Sequence, residues 1–186
     1  MNDFELYFRL GLEHILNVGA IDHILFLTAL IMVFKITEWR KLFWLVTLFT
    51  IAHTTSLMLS VFGVLKIDGE LIEKLILITI LITALSNIWI KNPKNLHQTH
   101  YYFSFFFGLI HGLGFAKDFK MMLTGQSEKI YPLLSFALGI ELAQILLGLI
   151  ILLFFWLLIN MLKYSKREVI LLFSGLIMGY TLALLA

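Results

Sequence analysis

Cysteine is absent from the 186-residue sequence, which excludes a disulfide framework, a thiolate metal site and a cysteine nucleophile together. Proline occurs only twice, and Pro93 and Pro132 join clusters of charge as the breaks between long apolar runs. Charge itself is scarce, at 14% of residues, with 14 Lys and Arg against 12 Asp and Glu. So even a balance gives a nucleic-acid partner no footing. Also missing are the phosphate-cradling G-x-x-x-x-G-K-[ST] loop, the H-E-x-x-H zinc motif and the G-x-S-x-G nucleophile elbow, so neither ATP hydrolysis nor those two hydrolase chemistries is indicated.

Apolar residues make up 60% of the chain and the mean hydropathy is +0.94, values that place lipid rather than water around most of the surface. Apolar stretches recur from about residue 20 to the C-terminus, and the chain reads as one transmembrane domain over residues 1–186. Spans are expected near 20–36, 42–63, 71–90, 100–116, 131–162 and 169–186, because a bilayer crossing needs about 20 apolar residues. Lipid offers the backbone no hydrogen bonds, and the runs are too long and too uniformly apolar for alternating barrel strands. The expected fold class is therefore all-α, a polytopic membrane helical bundle of about six transmembrane helices. The fifth run exceeds what a bilayer needs, so it tilts, protrudes or begins with an interfacial turn at Tyr131-Pro132.

The N-terminus carries Asp3 and Glu5 where a signal peptide would have its basic region, and it reads as mature sequence. Phe4, Leu6, Tyr7, Leu10 and Ile15 recur at roughly helical spacing, which predicts a short N-terminal amphipathic helix at the membrane surface or tucked into the bundle. Six spans put both termini on one side. The alternate connections then divide the basic residues eight against six, with Lys35, Arg40, Lys41, Lys91, Lys94, Lys163, Lys166 and Arg167 on the richer side. The other side holds most of the acids, among them Asp68, Glu70, Glu73 and Asp118. By the positive-inside rule both termini face outward, in what is expected to be a bacterial inner (cytoplasmic) membrane. An acidic outer face would concentrate cations, although acids also simply tolerate translocation.

An ionisable group in a span costs about 2.5 kcal/mol or more at the bilayer centre, so each needs a partner, a cavity or a function. Candidates are Asp22 and His23 at the start of the first span with His14 before it, His53 in the second, His111 in the fourth, and Glu141 with Gln144 in the fifth. Thr50 and Thr54 flank His53 and add oxygens. Taken singly, an intramembrane histidine also serves as an interhelical hydrogen-bonding group. Together, imidazoles and carboxylates without a thiol suit borderline divalent ions such as nickel, cobalt, zinc or iron(II). Gly108, Gly112 and Gly114 flank His111 and would let helices approach closely. Ser86 and Asn87 read as interhelical glue, whereas His97 and His100, in or beside a connection, read as solvated.

The segments EHILNVGAIDHILFL, FTIAHTTSLML, ALSNI, FGLIHGLGFA and FALGIELAQ resemble, in order and spacing, the HupE/UreJ family of membrane proteins over nearly the whole chain. Seven residues separate His14 from the Asp22-His23 pair, two more than in the hydrogenase- and urease-associated members, so whether all three share one ion stays open. The family's later histidine-glycine stretch and its acidic residue are split here between His111 and Glu141. The resemblance implies a small permease or facilitator for nickel or cobalt. On that reading His14, Asp22 and His23 form an outer capture site, and His53, His111, Glu141 and Gln144 a deeper transient one. The alternatives are an intramembrane metalloenzyme and a non-transporting metal- or haem-binding membrane protein. Expected partners are membrane lipid, the metal ion and, as an open alternative, a second copy in a homo-oligomer.

Overall fold

The computed structural model describes residues 3–17, 19, 21–89, 93–124, 126 and 128–186, and every regular element among them is helical. In chain order these are α1 (Asp3–Leu16), α2 (Ile21–Ile31), a 3-10 turn (Ile36–Glu38), α3 (Trp39–Val61), α4 (Gly69–Trp89), α5 (Pro93–Gly114), α6 (Ala116–Met122), α7 (Ile130–Trp156), a π turn (Leu157–Met161) and α8 (Lys166–Leu185). Four are long and apolar enough to cross a bilayer: α3 with its 3-10 turn, α4, α7 with its π turn, and α8. Taken together, α1 and α2 make a fifth, bent by 69°. The protein is thus an all-α membrane bundle with four to five such spans.

The differences from the sequence expectation are local and have physical causes. The first span, expected over 20–36, is only the short α2 (Ile21–Ile31), and it reaches spanning length only together with α1, at an angle of 69° to it. The Asn17 side chain accepts from the Gly19 N–H at 2.8 Å, a local turn that competes with helix continuation. The N-terminal helix is tucked into the bundle, with Tyr7 and Ile15 buried. The run expected at 100–116 lies in α5, which starts at Pro93 and whose first turns carry His97, Gln98 and His100; α5 is long but more polar than the four spans. Of the expected basic connections, Lys91 lies outside the described residues.

Two helix crossings are close because glycines face backbone. A Cβ on Gly11 would stand 2.2 Å from the Phe136 carbonyl oxygen of α7, and one on Gly139 would stand 2.1 Å from that of Phe8 in α1. Likewise a Cβ on Gly112 of α5 would stand 2.1 Å from the His53 carbonyl oxygen of α3. Without a hydrophobic drive between helices in lipid, such small-residue contacts let dispersion and backbone proximity hold the pair. Around them Phe26, Leu30, Leu45, Phe49 and Phe136 fill the interior. Trp44, Ile150, Leu172 and Leu176 are exposed, as befits faces solvated by acyl chains.

A helix that ends buried in protein leaves carbonyls with no water to satisfy them. Here α2 receives side chains from three neighbours. Asn87 Nδ2 of α4 donates to the Ala29 carbonyl at 2.8 Å, His100 Nδ1 of α5 to that of Leu30 at 2.7 Å, and Lys166 Nζ of α8 to that of Val33 at 2.6 Å. His100 is therefore not solvated but fully buried, and His97 stacks on Phe34 at 4.4 Å. Asn87 is interhelical glue, as read from the sequence.

Candidate metal centre

The two glycine crossings deliver the histidines to one place. His14 lies three residues beyond Gly11 on α1, and His111 three beyond Gly108 and directly before Gly112 on α5, so both reach the level of His53 on α3. The break after α1 lets the chain turn and present Asp22 and His23 from the first turn of α2 at that same depth. Ring centroids are 4.7 Å apart for His14 and His23, 5.6 Å for His14 and His53, and 5.4 Å for His23 and His111.

Two overlapping donor sets result. His14, His23 and His53 offer nitrogens that all lie within 4.8 Å of one another, and so do the nitrogens and carboxylate oxygen of His23, His111 and Asp22. His23 belongs to both. His53 is 0% exposed, His111 1% and His23 7%; the Phe115 ring lies 4.3 Å from that of His14, and the rings of Phe26 and Phe49 lie 5.0 and 5.3 Å from that of His111. Buried polar atoms are ordinarily hydrogen-bonded. Here His14 Nε2, His23 Nε2, both nitrogens of His53 and His111 Nδ1 are buried without a partner among the described residues.

The neighbours fix which lone pairs are free. Thr79 of α4 donates its hydroxyl to the Ile76 carbonyl at 2.7 Å and stands 3.3 Å from His111 Nε2. Its single proton being committed, the threonine oxygen accepts from Nε2–H, which leaves Nδ1 of His111 as the bare donor atom. Asp22 Oδ1 lies 3.1 Å from His23 Nδ1, and accepting from Nδ1–H likewise leaves Nε2 bare. Such outer partners set the tautomer and aim of a metal-binding histidine. Polarity of the backbone helps as well. The C-terminal, negative end of α1 approaches the cluster through His14, while Asp22 offsets the positive N-terminal end of α2.

Glu141 and Gln144 stand apart from both sets. Thr47 donates to Glu141 Oε1 at 2.5 Å, and Thr50 donates to Gln144 Oε1 at 3.1 Å. Glu141 Oε2 is buried without a partner among the described residues. The pair is thus a second polar patch between α3 and α7, two turns or less along α3 from His53. The expected division into an outer site and a deeper site is consequently redrawn, with all four histidines and Asp22 in one place and Glu141–Gln144 beside it. Thr79 and Thr47 carried no signal in the sequence, since a threonine in an apolar helix is ordinary and only its neighbour across the interface gives it a role.

Toward the acidic side, a cavity of about 680 Å³ opens between the α3–α4 connection, the end of α5 and α6. Asp68, Glu70, Glu73 and Asp118 line it together with Lys66, Lys117 and Lys120, and its wall includes Gly114, one turn from His111.

An all-helical membrane bundle with buried, unpartnered imidazoles and a carboxylate converging on one point defines a membrane protein equipped to bind a divalent metal. A model of the HupE / UreJ protein family matches residues 1–185, and the chain belongs to that family. No curated protein matches it, and neither does any solved structure.

Proposed function

We propose that the protein is a permease for a divalent transition-metal ion, with nickel or cobalt the first substrates to try and the bacterial inner membrane its place. The observation that carries this reading is the set of five buried imidazole nitrogens, on four histidines, that have no partner among the described residues. Away from water an unsatisfied polar atom costs roughly several kcal/mol, and a cation taking one lone pair from each imidazole relieves it, the second His53 nitrogen carrying the N–H. With α1–α2 counted as one broken span and α5 counted as a span despite its polar start, six crossings put both termini outside. The acidic cavity then faces outward.

In this scheme a hydrated ion is drawn to the acidic vestibule, passes Gly114 and exchanges water for His111, His23 and Asp22, with His53 and His14 completing the shell. Nitrogen and carboxylate donors hold borderline ions firmly without the permanence of a thiolate cage, as transit requires. A broken helix at mid-membrane is also how many transporters build a midplane site. Glu141 and Gln144 supply the next oxygens on the way through, along α3 and α7. A catalytic reading has less behind it, because the carboxylate nearest to serving as a general base, Glu141, is held by Thr47 outside both donor sets.

The test has two stages. Protein purified in mild detergent without chelator is assayed for bound metal, wild type against His23→Ala and His53→Ala, and then reconstituted in liposomes for uptake of nickel, cobalt, zinc and iron(II). Stoichiometric metal in wild type, lost in His23→Ala and lowered in His53→Ala, together with flux by wild type, supports the permease. Metal without flux returns the protein to a binding or catalytic role, and an empty wild type after incubation with all four ions removes the metal reading.

A further inference from the structure

At the opposite, basic end of the bundle a second cavity, of about 300 Å³, lies between the 3-10 turn, the π turn and the start of α8. We propose that it is a binding site for an anionic phospholipid, with Lys35 and Lys166 on the phosphate and an acyl chain against Phe34, Phe155 and Ile159.

Three observations carry this. The first is level. The candidate spans Ile36–Val61 and Lys166–Leu185 begin here and Ile130–Met161 ends here, so the cavity sits where hydrocarbon gives way to headgroups. The second is composition: Lys35, Lys166, Asn160 and Thr37 line it together with six apolar residues, Trp156 among them. That pairing of cation and apolar wall fits an amphiphile rather than a soluble anion. Trp at this level is the usual interfacial residue. The third is charge. Two like charges lining one cavity favour an anion between them, and the local acid is already engaged. Glu38 accepts from the Lys35 backbone N–H at 2.9 Å and pairs with the Lys41 ammonium, and it does not line the cavity. Lys166 spends one of its three N–H bonds on the Val33 carbonyl, leaving two for phosphate.

The site has a structural consequence. Lys166 bound to a phosphate stays fixed over the end of the half-helix that carries Asp22 and His23, so lipid headgroup and metal site are joined through α2. The proposal does not depend on the permease reading, because it concerns lipid occupancy alone.

Native mass spectrometry of the full chain, loaded from mixed micelles with equal amounts of phosphatidylglycerol and phosphatidylcholine, tests it. Lys35 is exposed, so Lys35→Gln keeps the fold. Lys166→Gln gives the stronger effect but also uncaps Val33. We expect phosphatidylglycerol adducts in preference to phosphatidylcholine, reduced about fivefold by Lys35→Gln, the equivalent of about 1 kcal/mol per lysine near the headgroups. Equal retention of the two lipids by wild type, or a preference that Lys35→Gln leaves untouched, overturns the site. So does a change of Lys35→Gln in oligomeric mass without a change in lipid count, which would make the cavity a contact between copies.

Discussion

His23 is the one side chain common to both donor sets, which ranks the expected losses. His23→Ala should remove metal binding altogether, while His53→Ala and His111→Ala, each leaving the other set intact, should leave a weaker remnant; metal per chain measured after dialysis against a weak chelator checks the order. Thr79 makes a finer case. Thr79→Val keeps the shape but leaves His111 Nε2–H without its acceptor, and outer partners of this kind are worth roughly 10- to 100-fold in affinity. Thr79→Ser should restore most of it. A cobalt-loaded sample would show the change as a shifted ligand-field spectrum, and identical spectra in wild type and Thr79→Val would sink the tautomer assignment. These residues also mark the limit of what the sequence disclosed. Histidines in apolar runs announce themselves by rarity, whereas Thr79 is one polar group among many that helices tolerate. As the opening residues of a straight first span, Asp22 and His23 were expected in an outer site. The bend between α1 and α2 instead brings them to the level of His53.

Among the elements, it is the glycine crossings that convert separate helices into a site. Gly112→Ala would place a methyl carbon where the His53 carbonyl oxygen is 2.1 Å away, so α5 must move off α3 at a cost of about 1–3 kcal/mol, taking His111 with it. Gly175→Ala on α8 meets nothing within 4 Å and should instead stabilise by about 0.4–1 kcal/mol through the unfolded chain. Thermal melts in detergent with and without metal compare the two, and a Gly112→Ala protein that melts and binds like wild type would show that the crossing is not what sets the site. The small residues around His111 were readable as a packing motif, but Gly11 and Gly139 could be paired only once α1 was seen against α7. His100 is similar. Near a connection it looked solvated; it in fact caps the Leu30 carbonyl, and His100→Leu should lose about 1–3 kcal/mol, because no water reaches that oxygen.

On the scale of the whole molecule, the same missing cysteine that excludes thiolate chemistry makes the topology directly measurable, since any introduced thiol is the only one present. Two ends of the bundle differ in charge. Asp68, Glu70 and Glu73 gather around the α3–α4 connection, whereas Lys163, Lys166 and Arg167 gather around the start of α8. If translocation follows the basic residues, the acidic cavity and both termini face outward, and a cation reaches His111 from the side where its concentration is raised. Gly69→Cys has room, with nothing within 4 Å of its Cβ position, and Tyr164→Cys replaces an exposed residue. In intact cells a membrane-impermeant maleimide should label the thiol at position 69 and not the one at 164, and permeabilisation should expose both. The reverse pattern would invert the protein, place the acidic vestibule on the inner side, and make the histidine site one that is loaded from within, so that outward transport of metal would become the flux to measure.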